Sequence, residues 1–172
     1  VAEAAPSKVP PPLAEPQLRV GVILEDDNRT KVSFCCPGAA RLASRDGQTL
    51  PLEAERTYTV ELREGVCYLR DGTQELVRLG YVFVVTLEQE AEIQPGSGIR
   101  VDDIVAGRGF HWQKEISQTL PGSLEFIPMP DRIVLVNTIG LEFYTTCVLA
   151  SEMSGRDCPA EFAKAQATAA RS

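Results

Sequence analysis

"RTYTVELREGVCYLRDG", residues 56–72, decides the fold. Tyr58, Val60 and Leu62 alternate with Thr59, Glu61 and Arg63, which puts an apolar face and a charged face on one extended segment. Glu64-Gly65 then offers a tight turn back. Strand signals continue on both sides. Upstream are "LRVGVIL" (18–24), "KVSFCC" (31–36) after the turn-like "EDDNRT", and "ARLASRDGQTLPLE" (40–53) with an Asp46-Gly47 turn. Downstream, "ELVRLGYVFVVTLEQE" (75–90) is the strongest apolar run, and "RIVLVN" (132–137) is entered through "PMP". Short strands with a turn every eight to twelve residues or so favour antiparallel pairing over βαβ crossovers. The expected class is therefore α+β: many short, mostly antiparallel strands, followed by two helices near the C-terminus, the last one cut.

With 172 residues and 44% hydrophobic content, the chain can bury one sizeable core or two small lobes. No run of eighteen or so apolar residues offers a membrane span. A net charge of -7 argues against nucleic acid as a partner and gives no attraction to an anionic lipid surface. The first seventeen residues, "VAEAAPSKVPPPLAEPQ", are rich in proline and read as an extended tail outside the fold.

Five cysteines are too few for a disulfide scaffold. The adjacent Cys35 and Cys36 point to opposite faces of a strand, while Cys67, Cys147 and Cys158 stand apart. Most read as small buried residues, with a Cys147–Cys158 bridge conceivable in an oxidising compartment. His111 is the only histidine and no CxxC occurs, so no metal site and no cofactor is expected from this chain. Gly107-Arg108-Gly109 within "PGSGIRVDDIVAGRGFHWQKEI" (95–116) reads as a bend between strands. Trp112 stands where a dinucleotide loop needs its third glycine.

After Gly140 the period changes. Leu141, Tyr144, Thr145, Val148, Leu149 and Glu152 fall on one helical face, with Glu152 about 20° from Leu141 around the axis. A carboxylate at the mouth of an apolar face loses hydration and holds its proton more tightly, as a general acid requires. The alternative is that the helix ends by Ala150 and Glu152 faces water. "SGRD" (154–157) breaks the helix. "AEFAKAQATAARS" (160–172) then forms a second, with Pro159 in its first turn and Cys158 or Asp157 as its cap.

Two blocks of this region resemble the SpoIID/LytB family of bacterial cell-wall proteins. The first comprises Val136, Asn137, Leu141, Glu142, Tyr144, Val148, Ser151, Glu152 and Met153. The second comprises Pro159, Glu161, Lys164, Ala165, Gln166, Ala167, Ala169, Ala170 and Arg171. Upstream, "LRVGVIL" looks like the family's opening strand, and "GRGFHW" (107–112) falls where members carry Gly-Arg and an aromatic. The resemblance thus extends over residues 18–172, as a β-rich lobe at about 18–92 and a motif-bearing lobe at about 93–172. The chain departs from the pattern at Cys147, which replaces a glycine, and between Glu152 and Pro159, which is one residue longer. It also lacks the usual proline after Met153 and the tryptophan before Pro159.

The resemblance implies a lytic transglycosylase acting on peptidoglycan glycan strands that lack stem peptides, with Glu152 as its catalytic acid and then base. It implies Ser151, Lys164 and Gln166 as substrate-binding residues. Lys164 would meet a lactyl carboxylate or form part of a solvated face, and Gln166 and Arg171 would brace the loop after Glu152. Glu142 is expected to be structural, and Tyr144 to belong to the core. The rival expectations are an amidase enhancer, which binds an amidase and cuts nothing, and a glycan-holding wall module. Family members continue past this point, so the remainder of the domain or a second chain is expected to complete the cleft. The 172-residue piece is then expected to turn over little alone. An extracytoplasmic location follows from the family, with the N-terminal tail as a tether.

Overall fold

The computed structural model describes residues 14–89, 97–152 and 158–171. In chain order the strands are β1 (Gln17–Ile23), β2 (Lys31–Cys35), β3 (Ala40–Ser44), β4 (Thr49–Leu52), β5 (Thr57–Arg63) and β6 (Val66–Asp71). They continue with β7 (Gln74–Leu79), β8 (Phe83–Leu87), β9 (Ile99–Ala106), β10 (Lys114–Leu120), β11 (Ser123–Pro128) and β12 (Ile133–Gly140). Two helices follow, α1 (Leu141–Glu152) and α2 (Ala160–Ala170). The α+β class with antiparallel strands and two C-terminal helices is what the sequence pattern demanded. Among the described residues, no helix is long and apolar enough to cross a membrane.

The strands form two six-stranded sheets, ordered β1-β12-β11-β8-β3-β4 and β10-β9-β2-β5-β6-β7. The 56–72 stretch becomes the β5–β6 hairpin, with Tyr58, Val60 and Leu62 buried and Arg63 exposed. Its turn has positive φ at both central residues, 49° at Glu64 and 76° at Gly65, the twist that suits a two-residue antiparallel connection. Strands after residue 97 make no sheet of their own. β9 and β10 extend the sheet of β2, and β11 and β12 join β8 to β1 in the other.

The sheets face each other across an aromatic centre. Phe34 on β2 meets Phe126 on β11 with ring centroids 5.5 Å apart, and Phe126 stacks on Phe83 of β8 at 4.9 Å. All three rings are fully buried. Each contributes about 2–3 kcal/mol through the apolar area it removes from water. Cys36 and Cys67 are small core residues here, and burial pushes both thiols up to about 12.

The chain joins the fold earlier than the expected boundary at Leu18. β1 starts at Gln17, Pro16 O accepts from Leu141 N at 2.9 Å, and Glu15 Oε1 accepts from Glu142 N at 2.6 Å. The first turn of a helix has N–H groups with no partner inside the helix, and here the residues just before β1 supply them. The expected tail residues 1–13 and the "SGRD" break lie outside the described residues. Pro159, expected in the first turn of the second helix, is instead its cap, with its carbonyl accepting from Ala163 N at 3.1 Å. A cap residue uses its C=O but needs no N–H of its own, so proline fits there.

Candidate functional site

α1 leaves β12 without a linker, so the sheet sets its direction. Thr145 is its one buried residue, and its Oγ1 donates to Leu141 O at 2.8 Å. The helix packs on β1, β12 and α2. Leu141, Tyr144, Val148 and Leu149 are half-buried, and Ser151 and Glu152 are exposed. The expected loss of water at Glu152 is therefore not found in this chain. The helical period places the stripe, which is half-buried as far as Leu149, while its last residue, Glu152, is exposed.

β1 is the edge strand of one sheet and β10 of the other, and α1 runs over the place where those edges meet. A groove of about 340 Å³ opens there. Val20 and Val22 of β1, Ile104 of β9 and Ile116 of β10 give it an apolar floor. Tyr144, Val148 and Ser151 form its α1 wall. Tyr144, expected in the core, thus faces the groove. Glu152 follows Ser151 at the same end of α1, and Ser151 Oγ donates back to Val148 O at 3.0 Å. Lys164 and Gln166 on α2 are not among the residues lining the groove. Lys164 Nζ pairs with Glu161 at 2.7 Å on an exposed face, and Gln166 is half-buried. Of the four candidate residues, only Ser151 lines the groove; Glu152 is its chain neighbour at the end of α1 and stands exposed beside the lining.

Glu142 is structural, as expected, and its partner is Arg171. That ion pair ties the start of α1 to the end of α2. Arg171 thus holds α1, while the loop after Glu152 that it was expected to brace lies outside the described residues. Cys147 lines the groove as a free thiol, raised in pKa by burial, and Cys158 is free as well, so the two are not bridged. Among the described residues, no three His, Cys, Asp or Glu side chains gather as metal ligands.

Two polar residues of the groove are fixed by the fold. Asn137 on β12 is 4% exposed, and its Nδ2 donates to Pro121 O at 2.7 Å and Ser123 O at 3.1 Å. This holds the β10–β11 turn against β12. Asn137→Ala leaves both carbonyls short of a donor, so a loss of about 1–3 kcal/mol is expected in urea unfolding.

Arg108 lies between β9 and β10. Its Nε donates to Asp27 Oδ1 at 2.8 Å, and its Nη2 donates to Asp27 Oδ2 at 2.6 Å and to Val22 O at 2.7 Å. The Asp27 side chain is 5% exposed and also accepts from Leu24 N at 2.8 Å. The Arg108 hydrogen bond holds the Asp27 carboxyl below the usual carboxylate value, against the opposing pull of burial. The Arg108 charge on the groove is thus already balanced. Sequence reading placed a bend at Gly107-Arg108-Gly109 but missed this partner. The acidic "EDD" at 25–27 was the available signal, 81 residues away.

Residues 130–172, which span β12, α1 and α2, match the family model of SpoIID, the stage II sporulation protein. This supports a SpoIID family assignment and, in general terms, a sporulation- or cell-wall-related protein. An uncharacterised protein of Brachyspira hyodysenteriae is 35% identical over 96 residues, covering 52% of this chain and 26% of that relative. The chain thus spans about a quarter of that relative's length. No solved structure matches.

Proposed function

We propose, from the SpoIID match, that this chain is the glycan-binding part of an extracytoplasmic lytic transglycosylase that cuts peptide-free peptidoglycan strands. The observation that carries the reading is the groove at the meeting of β1, β10 and α1, whose α1 wall runs to Ser151, the residue before Glu152, inside the matched segment. In the proposed reaction Glu152 gives its proton to the glycosidic oxygen as the bond to the anomeric carbon breaks. The muramic acid 6-hydroxyl then attacks that carbon and passes its proton to the Glu152 carboxylate, closing a 1,6-anhydro ring. One carboxylate serves both steps, whereas ordinary glycosidases set two across the bond. Because Glu152 is exposed, the water exclusion that keeps its proton on has to come with the bound strand.

That same exposure favours a second reading, in which the domain cuts nothing and either stimulates an amidase or only holds glycan. Product analysis separates these readings. The full-length protein acting on peptide-free glycan is expected to release 1,6-anhydro sugar ends. Stimulation of an added amidase without such ends supports the enhancer, and glycan capture with neither supports the binding module.

A further inference from the structure

The β9–β10 connection carries two large rings into solvent, Phe110 at 63% and Trp112 at 52% exposure. Scattered exposed apolar residues are ordinary on any surface. These two are instead stacked on each other, with centroids 5.5 Å apart and planes 19° from parallel. The loop beneath them is closely tied. Phe110 N donates to Gly107 O at 3.0 Å, Gln113 N to Phe110 O at 3.0 Å, and Gly109 N to Gln113 Oε1 at 3.0 Å. Arg108, between the two glycines, is locked to Asp27. Gly107 has φ of 68°, and a Cβ there would come within 2.2 Å of Trp112 Cζ3. Trp112 thus packs over a position kept bare for it. The fold fixes an aromatic pair in water rather than leaving it to collapse inward, and it does so on the loop that gives Arg108 to the groove.

We infer that Phe110 and Trp112 form a platform on which a pyranose ring of the glycan strand stacks, extending the groove beyond its Arg108 end. This rests on the glycan reading above and names a subsite for it. The surroundings fit the uncharged ring face of a sugar rather than the lactyl carboxylates of the strand. Arg108 is balanced by Asp27, and the groove's other polar groups include the uncharged Gln118, Thr119 and Ser151. A phosphate or lipid headgroup would need an unbalanced cation, and Arg108, already paired with Asp27, is the one charged side chain among the described residues that line the groove. An apolar sugar face over an aromatic ring, with neutral hydrogen-bonding groups beside it, matches the usual make-up of a small-molecule site.

Trp112 is the only tryptophan of the chain, so its emission reports on the platform directly. Titrating the 172-residue chain with soluble peptide-free glycan oligomers is expected to shift that emission saturably. Phe110→Ala is expected to weaken binding about tenfold, with Phe110→Tyr restoring it and the circular dichroism of all variants unchanged. Glycan binding with unshifted emission and an unaffected Phe110→Ala variant overturns the platform alone and leaves the glycan reading standing. A wild-type chain that binds no glycan overturns both. An emission shift on adding an amidase but not glycan also overturns the platform and makes the loop a protein interface.

Discussion

Replacing Glu152 with glutamine is expected to cut release of 1,6-anhydro ends by the full-length protein about 10²–10⁴-fold, the range that one positioned acid supplies. Glutamine keeps the size and polarity of the side chain but can neither give a proton to the glycosidic oxygen nor take one from the 6-hydroxyl. Because Glu152 is exposed and ends its helix, the change is not expected to disturb folding or glycan capture. The expected pattern is a fall in kcat with little change in KM. Glu142→Gln is the control. It breaks the pair with Arg171 that ties α1 to α2, so a small stability loss with anhydro ends still released separates a structural glutamate from the acid. An unchanged rate in Glu152→Gln would leave the amidase enhancer as the better account.

The second large effect is on stability. Arg108→Ala leaves the Asp27 carboxylate with Leu24 N as a hydrogen-bond donor and the more distant Arg29 charge, and deprives Val22 O of its donor. The Arg108 side chain is about a third exposed, so solvent screens part of the loss, and removing it is expected to cost about 1–3 kcal/mol, enough to shift a chemical-denaturation midpoint. The direction with pH follows from the lowered folded pKa of Asp27. Its contribution is fully present above the unfolded carboxyl value of 3.8 and is lost as pH falls through the lower folded value. Wild type is thus expected to lose this increment only in acid, while Arg108→Ala lacks it at neutral pH as well. An Asp27→Asn, Arg108→Gln double variant, which keeps hydrogen bonding without charges, is expected to recover part of the loss. Equal stability of wild type and Arg108→Ala at pH 7 would remove the pair from the account. Since Arg108 also holds the loop bearing Phe110 and Trp112, weaker glycan binding is expected alongside.

What could be read from the residues was what is local. Tyr58, Val60 and Leu62 announce a half-buried strand because alternation repeats every two residues, and Glu64-Gly65 announces its turn. The change of period after Gly140 announces α1 in the same way. The partition into two sheets was hidden, because nothing near β9 says that it pairs with β2 rather than with its chain neighbour β8. Glu152 shows the limit most clearly. Periodicity fixes its angle around the helix but not what the rest of the fold packs against it, and that packing sets its exposure. Asp27 and Arg108 had no shared local pattern to betray them. Gly107 had one, next to an aromatic run, but the reason for a bare α-carbon there is the ring of Trp112 above it.

The central claim is that glycan lies in the groove between the β9–β10 hairpin and α1 and reaches Glu152. Amide NMR spectra of the isotope-labelled chain, recorded during titration with peptide-free glycan oligomers, test it most directly. The account predicts that shifts concentrate at Ala106, Arg108, Gln118, Val148, Ser151 and Glu152, with β6 and β7 at the far edge unmoved. Shifts confined to β6 and β7, or to the α2 face around Lys164, would contradict it.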